Sequence, residues 1–349
     1  MYSNKKSVKI RPIRVIRVPI VSEKKVLLFT TQFLSNFMYQ HFITPFGAFE
    51  KHTFQDAHGN AFSMIPQYGS CLLDLKFQHE SVLDGYQTPE TLLENKGAKN
   101  VILAPFPNRL RDGLYTHEGV TYSFPIKKSS GNNAIHGFCR DAKMTIESIQ
   151  MDAEQAEITC THTYSDENPA YPFHFSLKTV MALRGLAFTM GIYITNLDTK
   201  TMPVGIGWHP YFRFAGATAD AISMQLPDCQ QIIVDDRMLP TGEKVPYNDF
   251  KTLRNIGETP LDTGFILEST APQANVILKF KNKKLKYWQN AQDWRYLQVF
   301  TPPHRQSVAI EPMTCAADAF NTGDGLKILQ PQATFGGQFG VICQNLVII

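Results

Sequence analysis

Two histidines and one glutamate stand in stretches of the sequence that suit proton transfer. His209 lies in GIGWHPYFRF, His136 in NNAIHGFCR and Glu311 in SVAIEPM. Imidazole and carboxylate groups are common general acids and bases in enzymes. Each residue also has a plain structural interpretation, because single histidines occur in protein cores and a partly buried acid is often paired. Taken one at a time, these residues leave both interpretations open.

The surroundings of His209 sharpen the question. Pro210 follows it and holds the His209 backbone in the extended region. Trp208 and Tyr211 flank the pair. These aromatic side chains are candidate walls that stack on a ring ligand, or they simply fill the core.

A third polar stretch, APFPNRLRDG, carries Asn108, Arg109 and Arg111. Arginine offers a planar fork of donors, and asparagine offers a donor and an acceptor. The group therefore suits vicinal hydroxyls or an anion. The alternative is a surface ion pair with Asp112.

Alternating apolar residues predict the elements that must position these groups. Four segments alternate with a period of two, namely Val120–Ile126, Ile158–Tyr164, Phe175–Leu183 and Leu186–Ile194. Such alternation is typical of strands in antiparallel sheets. No strand–helix alternation appears, so we predict an all-β protein, a large antiparallel β-sandwich with few short helices.

The same alternation orients two polar residues near the C-terminus. Val308 and Ile310 share one face of a predicted strand, so Glu311 points to the other face. Gln298 points away from its apolar neighbours in LQVF in the same way. Short helices are expected at Pro89–Asn95 and within Met313–Phe320.

Composition bounds the class of protein. The 349 residues carry a net charge of +3, and residues 1–25 hold eight Lys/Arg against one acid, so the rest of the chain is slightly acidic. We predict a basic N-terminal extension over residues 1–40 and one domain over residues 41–349. No nucleic-acid surface is expected on the main body.

The apolar run VLLFTTQFLSNFMY at Val26–Tyr39 is too short and too polar to span a bilayer. The six cysteines are scattered without a CxxC pair, as expected of free thiols in a reducing compartment. We predict a cytoplasmic protein that does not enter membranes, with export as the alternative.

Several catalytic motifs are missing from the sequence. It contains no HExxH, no GxSxG, no phosphate-binding P-loop and no GxGxxG after a strand. The separations of His136, His209 and Glu311 do not match those of metal ligands, so neither a metal nor a cofactor is predicted.

Seven stretches, taken in order, resemble the aldose 1-epimerase (galactose mutarotase-like) family. They are PFPNRLRDG, NAIHGF, GWHPYF, LPTGE, LDTGF, LQVFTP and AIEPMTCAADAFNTGDGLKILQP, from about Phe46 to the C-terminus. The resemblance implies a β-sandwich enzyme that interconverts the α and β anomers of a hexose without a cofactor. Its partner would be a small-molecule sugar, and the protein would be a monomer or a homodimer.

The resemblance also implies roles for individual residues. Glu311 matches the general base and His209 the general acid. Positions that bind the sugar are matched by Asn108, Arg109, His136, Asp262 and Gln298.

Departures from the family pattern keep alternatives open. The galactose mutarotases have a GRVANR-type stretch where this chain has APFPNR, so galactose is not implied. Arg111 and Arg140 make the related hexose-6-phosphate 1-epimerases an alternative, because arginines bind a phosphate in those proteins. A sugar-binding protein without catalytic activity is the alternative from another class.

Overall fold

Antiparallel strands make up most of this computed structural model, which describes residues 39–165 and 167–345. The all-β prediction is therefore confirmed. The predicted basic extension, apart from residues 39 and 40, lies outside the described residues.

In chain order the strands are β1 (Gln40–Phe46), β2 (Phe49–Gln55), β3 (Ala61–Ile65), β4 (Cys71–Phe77), β5 (Glu80–Ser81), β6 (Ile102–Leu103), β7 (Arg109–Leu110), β8 (Leu114–His117), β9 (Val120–Ser123), β10 (Ala134–Ile135), β11 (Thr145–Met151), β12 (Ala156–Ser165), β13 (His174–Arg184), β14 (Ala187–Asn196), β15 (Met202–Val204), β16 (Gly207–Trp208), β17 (Tyr211–Phe212), β18 (Ser223–Gln225), β19 (Cys229–Val234), β20 (Pro240–Pro246), β21 (Arg254–Asn255), β22 (Asp262–Leu267), β23 (Gln273–Phe280), β24 (Lys283–Asn290), β25 (Tyr296–Phe300), β26 (Val308–Met313), β27 (Lys327–Leu329) and β28 (Thr334–Asn345). Two short α-helices accompany them in the described part of the chain, α1 (Pro89–Glu94) and α2 (Ala319–Thr322).

Three sheets contain most of these strands. A five-stranded sheet runs β1–β2–β3–β4–β5, and a nine-stranded sheet runs β11–β12–β13–β14–β28–β24–β23–β18–β21. An eight-stranded sheet runs β20–β19–β22–β25–β26–β16–β6, with β17 also paired to β26. The pairs β7–β10, β8–β9 and β15–β27 stand apart. Together the sheets form the large antiparallel β-sandwich that the alternation predicted.

The predicted alternation is clearest in β13 and β14. In β13 every second residue from Phe175 to Leu183 is buried, and in β14 the buried set includes Phe188, Met190 and Ile192. These side chains belong to one extensive apolar core. Burial of alternate faces explains why the period of two is so regular here.

One of the two short helices differs from its predicted bounds. Helix α1 begins with a capping box between Thr88 and Thr91 and ends at Asn95, whose backbone is left-handed. The expected helix within Met313–Phe320 is smaller, because Met313 is still part of β26 and α2 begins only at Ala319. No helix among the residues described has the length and apolar character needed to cross a membrane.

Candidate active site

Glu311 lies at the centre of the candidate site because of the register of β25 and β26. It pairs directly with Gln298 in the antiparallel ladder. The amide of Gln298 donates a hydrogen bond to Asp262 Oδ1, on the next strand β22, over 2.6 Å. Three neighbouring strands of one sheet therefore place Asp262, Gln298 and Glu311 side by side.

His209 approaches Glu311 from the other side of β26. Strands β16 and β17 pair with β26 two residues before and two residues after His209, so His209 lies directly opposite Glu311. Beside this pair, Ile310 N donates to Pro210 O over 3.2 Å, whereas Pro210 has no N–H to donate in return. His209 Nε2 and Glu311 Oε1 are 3.5 Å apart.

The backbone of His209 is held from outside this ladder. Its N–H donates to Val101 O, and its carbonyl accepts from the N–H of Asn100. The Asn100 side-chain oxygen also accepts from Tyr211 N. The imidazole is thus fixed by the chain on both sides of it.

Burial sets the charge state of the His209–Glu311 pair. Glu311 is only 2% exposed and His209 6%. Burial, reinforced by the negative charge of Asp262, raises the pKa of Glu311 well above its usual value, although Arg109 opposes this. Burial lowers the pKa of His209 to about 3. Both shifts favour the uncharged forms, a protonated carboxyl group on Glu311 and a neutral imidazole on His209.

His136 is positioned by the short ladder between β7 and β10. Its N–H donates to Asn108 O over 2.9 Å, and Asn108 N donates to His136 Nδ1 over 3.2 Å. Because Nδ1 accepts this bond, the ring proton is on Nε2 in the neutral imidazole. Burial first, and then the neighbouring His209, Arg140 and other cations, lowers the pKa of His136 well below its usual value. His136 is therefore a neutral donor in the site.

Gly137 allows the turn that carries His136 to form. Its φ is +60°, and a Cβ at this position would lie 2.0 Å from the carbonyl oxygen of Ala104. Any side chain here would displace the turn that carries His136.

Asn108 links the turn that carries His136 to the strands that carry Gln298 and Asp262. Its side-chain amide donates to Gln298 Oε1 over 3.3 Å, and its Oδ1 accepts from the backbone N of Arg109 over 2.8 Å and from Nη1 over 3.3 Å. A continuous network therefore runs from Asp262 through Gln298 and Asn108 to Arg109.

All of these groups line one cavity of about 470 Å³. We call His209, Asp262, Gln298 and Glu311 its strand wall, because they lie in or directly beside paired strands. Lys96, Lys127, Ser129 and Arg140 form its loop wall, since they lie between strands. The remaining lining residues are Asn95, Gly97, Ala98, Asn108, Arg109, Ser130, Ile135, His136, Tyr211 and Phe300.

Three buried polar atoms of residues that line this cavity have no hydrogen-bond partner among the residues that the structure describes. They are Arg109 Nε, His209 Nδ1 and Glu311 Oε2. An unsatisfied buried polar group costs about 1–3 kcal/mol, so native proteins keep few of them. Their collection beside one cavity indicates a site that a polar ligand completes.

The loop wall differs in its electrostatics. The side chains of Lys96, Lys127 and Arg140 form no hydrogen bond or ion pair with the described residues. Burial, with Arg140 nearby, lowers the pKa of Lys127. This side of the cavity therefore presents positive charge without a counter-ion.

Two sequence interpretations need correction. Trp208 is fully buried, and its ring stacks on Phe339 with centroids 5.1 Å apart, so the prediction that it forms a wall for a ligand is wrong. Neighbouring residues of an extended chain point to opposite faces, and His209 takes the face toward the cavity. Arg111 is also outside the cavity, because its Nε is 3.2 Å from Asp318 Oδ2.

The other predicted site residues line the cavity together. Tyr211 does so with its ring stacked on the His209 imidazole at 4.9 Å. The sequence interpretation missed Lys96, Lys127, Ser129 and Phe300. The loop residues among them follow no periodic pattern, whereas Phe300 was signalled by its spacing of two from Gln298.

The described residues contain no group of three or more His, Cys, Asp or Glu arranged to hold a metal ion. What the cavity offers is a buried carboxyl group, two neutral imidazoles and a set of amide and guanidinium donors. This arrangement can move protons to and from a bound polyhydroxylated ring.

The model of the aldose 1-epimerase family matches residues 51–340. The chain belongs to this family.

Similar proteins agree with this placement. The uncharacterized protein YihR of Escherichia coli K12 is 28% identical over 286 residues, which cover 78% of this chain and 87% of YihR. A galactose mutarotase-like protein of Clostridium acetobutylicum has a TM-score of 0.78 at 22% identity, over 88% of this chain and 98% of its own. A galactose 1-epimerase of Lactobacillus acidophilus has a TM-score of 0.76 at 18% identity, over 88% and 99% of the two chains. At these identities, the two structures support the fold alone.

Proposed function

We propose that this protein is an aldose 1-epimerase that interconverts the α and β anomers of a hexose by ring opening and closure. The observation that carries the proposal is the buried pair of Glu311 and His209, 3.5 Å apart in the lining of one cavity, with an unsatisfied polar atom on each partner. A protein that only binds sugar has no need of such a pair, whose burial is costly.

The reaction uses the single proton of this pair. The C1 hydroxyl of the sugar donates to Glu311 and stabilises its carboxylate, while the proton of the pair resides on His209. Glu311 then takes the C1 hydroxyl proton as His209 protonates the ring oxygen. The C1–O5 bond breaks and the open aldehyde forms.

Closure reverses these transfers. The aldehyde carbon turns about its bond to C2, and the O5 hydroxyl attacks its other face. His209 takes the O5 proton, and Glu311 returns a proton to the C1 oxygen. Positioned groups of this kind each accelerate a reaction by about 10²–10⁴-fold.

The remaining polar residues bind the ring in this proposal. The Nε2–H of His136 and the guanidinium of Arg109 donate to sugar oxygens, and Asp262 accepts from hydroxyls. Asn108 and Gln298 hold these groups in one network, which restricts the ring to a single orientation.

A second candidate is an epimerase for anionic sugars such as hexose 6-phosphates. The observation that favours it is the loop wall, where Arg140 and Lys127 present unpaired positive charge to the cavity. Phosphate and similar anions bind arginine through charge-assisted hydrogen bonds.

A proton NMR exchange screen tests both candidates. Wild-type protein and Glu311→Gln are mixed with α-glucose, α-galactose and their 6-phosphates, and the rate of exchange between anomers is measured. Acceleration by the wild type alone supports an epimerase, and the preferred sugars decide between neutral and anionic substrates. Binding without acceleration by the wild type would instead support a sugar-binding protein.

A further inference from the structure

Asp318 is a buried acid that the proposed reaction does not use. It lies between β26 and α2, is only 2% exposed and does not line the cavity. Its Oδ1 accepts from the backbone N of Arg111 over 2.9 Å and from Asn321 Nδ2 over 2.7 Å, and its Oδ2 accepts from Arg111 Nε over 3.2 Å. A buried carboxylate is costly unless such partners satisfy it, so this site is built around the charge of Asp318.

Asp318 also holds the backbone of the stretch that carries Arg109. Its own N–H donates to Arg109 O over 2.6 Å, while its Oδ1 accepts from Arg111 N. One residue thus supplies a donor and an acceptor to the chain on either side of Leu110. Strand β7 is only two residues long and is paired with β10 alone. Asp318 therefore gives this short strand a second set of backbone hydrogen bonds.

The backbone conformation of Asp318 shows what its side chain adds. Its φ is +58° and its ψ is +21°, in the left-handed region. Glycine adopts this conformation without strain, whereas other residues occupy it at a cost. Glycine could make the backbone bond to Arg109 O, but it could not accept from Arg111 and Asn321. The carboxylate is thus the feature that distinguishes aspartate at this position.

Arg109 connects Asp318 to the reacting groups. It lines the cavity, and its Nη1 donates to Asn108 Oδ1 over 3.3 Å. Asn108 bonds to Gln298, which pairs with Glu311. A displacement of the Arg109 backbone would move its guanidinium relative to the bound sugar. Misplacement of a binding group by about 1 Å is enough to impair an enzyme.

We propose that Asp318 is a positioning residue for sugar binding, which acts by fixing the backbone of Arg109. Arg111 supports it, because its guanidinium compensates the buried carboxylate. The inference rests on the proposed function for its effect on kinetics. Its structural consequence, the position of Arg109, does not depend on that function.

Asp318→Gly and Asp318→Asn separate the carboxylate from the backbone conformation. Glycine keeps the left-handed backbone and removes the carboxylate, whereas asparagine keeps one acceptor and removes the charge. KM should rise by about tenfold in Asp318→Gly and by less in Asp318→Asn, with kcat nearly unchanged, because weaker uniform binding changes KM alone. Anomer exchange is measured by NMR on whichever of glucose, galactose and their 6-phosphates the wild type exchanges fastest.

Two comparisons distinguish positioning from a role in stability alone. A variant that is only less stable contains less active protein, so its apparent kcat falls while KM stays the same. Asp324→Asn is the matched control, since Asp324 is paired with Lys244 over 2.8 Å and does not line the cavity. It should keep the wild-type KM. In an Arg109→Ala background, Asp318→Asn should raise KM no further, and an additive rise would overturn the inference.

Crystal structures of the wild type and Asp318→Gly test the inference without any sugar. The Arg109 guanidinium should be displaced by about 1 Å or more in the variant. If Asp318→Gly does not fold, Asp318→Asn serves in the same comparison. An unmoved Arg109 or an unchanged KM would overturn the inference and leave the proposed function intact. If the wild type exchanges no sugar, the proposed function fails, and the crystal structures still decide whether Asp318 fixes Arg109.

Discussion

In the strand wall, Glu311 and Gln298 are paired residues of one ladder, and His209 faces Glu311 from the next strand. In the loop wall, Lys127 is exposed and forms only an isolated bridge with Asn133, and Arg140 is half-buried outside any strand. Strand pairing therefore fixes the first wall, which is buried except for Asp262, and the pKa values of its Glu311 and His209 are shifted. The second wall is more exposed and positively charged. Under the proposed function, the strands perform the chemistry and the loops select the sugar.

Among the changes in the strand wall, Glu311→Gln should reduce activity most. The variant removes the proposed base but keeps a side chain of the same shape, so the rate should fall by about 10²–10⁴-fold. Polarimetry on freshly dissolved sugar measures this rate. Sugar binding should remain measurable, and Glu258→Gln, at an exposed position, should retain full activity. An active Glu311→Gln protein would refute the assignment.

His209→Asn should have the next largest effect, with a loss of about 10²-fold in kcat. The proton donor is removed, whereas most contacts to the ring remain, so KM should change less than kcat. Steady-state kinetics separate the two parameters, with His58→Asn as the control. A change in KM alone would make His209 a binding residue.

The pH dependence of kcat/KM tests the charge state of the strand wall. The raised pKa of Glu311 and the lowered pKa of His209, about 3, bound the range in which the pair holds one proton. The one-proton pair is present below the raised pKa and is lost as the pH rises through it. Activity should therefore fall toward alkaline pH, by about tenfold per pH unit beyond that pKa. A plateau extending to high pH, with a fall near pH 4.5 instead, would contradict the buried state of the pair.

Arg140→Ala tests the role of the loop wall in substrate selection. If this wall selects anionic sugars, KM for glucose 6-phosphate should rise by about tenfold, since hydrogen bonds to charged groups contribute about 1.5–3 kcal/mol. KM for glucose should change much less. Lys128→Ala is the control, because Lys128 neighbours Lys127 in sequence but does not line the cavity. An equal change in KM for both sugars would show that the loop wall does not select the substrate.

The smallest expected effect concerns stability. A carboxyl group whose pKa is raised by folding binds its proton more tightly in the folded state, so it costs stability as the pH rises above its unfolded value. Glu311→Gln should therefore have a free energy of unfolding about 0.5–2 kcal/mol above that of the wild type at pH 8. At pH 5 the difference should be smaller. Urea denaturation at the two pH values measures it, and a less stable variant at pH 8 would contradict the cost of burying Glu311.

The sequence predicted the strand wall better than the loop wall, for a physical reason. Strand residues repeat every two positions, so alternation around Val308 and Ile310 already separated Glu311 from the apolar face. The position of Asp262 came only from the family resemblance, since nothing in LDTGF itself indicates a site. Lys96 and Lys127 could not be found, because loop residues that meet only in the folded chain leave no periodic pattern.

Trp208 shows the limit of local reasoning within a strand. Its aromatic ring, next to His209 in sequence, indicated a stacking surface for a ligand. Neighbouring residues of a strand point to opposite faces, however, so only one of Trp208 and His209 can point to the cavity. That choice is made by the pairing of β16 with β26 and β6, which a single segment does not reveal.

The connection between β25 and β26 has a consequence for how this protein can diverge. Gln298 and Glu311 are aligned by hydrogen bonds within the ladder, and the seven residues 301–307 join their strands outside it. A one-residue shift within either strand would turn the catalytic face away from the cavity. Insertions in the connection would leave the ladder in place and reshape only the surface beside the cavity that Pro302, Pro303 and His304 line. Changes in this loop can therefore alter the surroundings of the cavity over evolution without disturbing the alignment of Gln298 and Glu311.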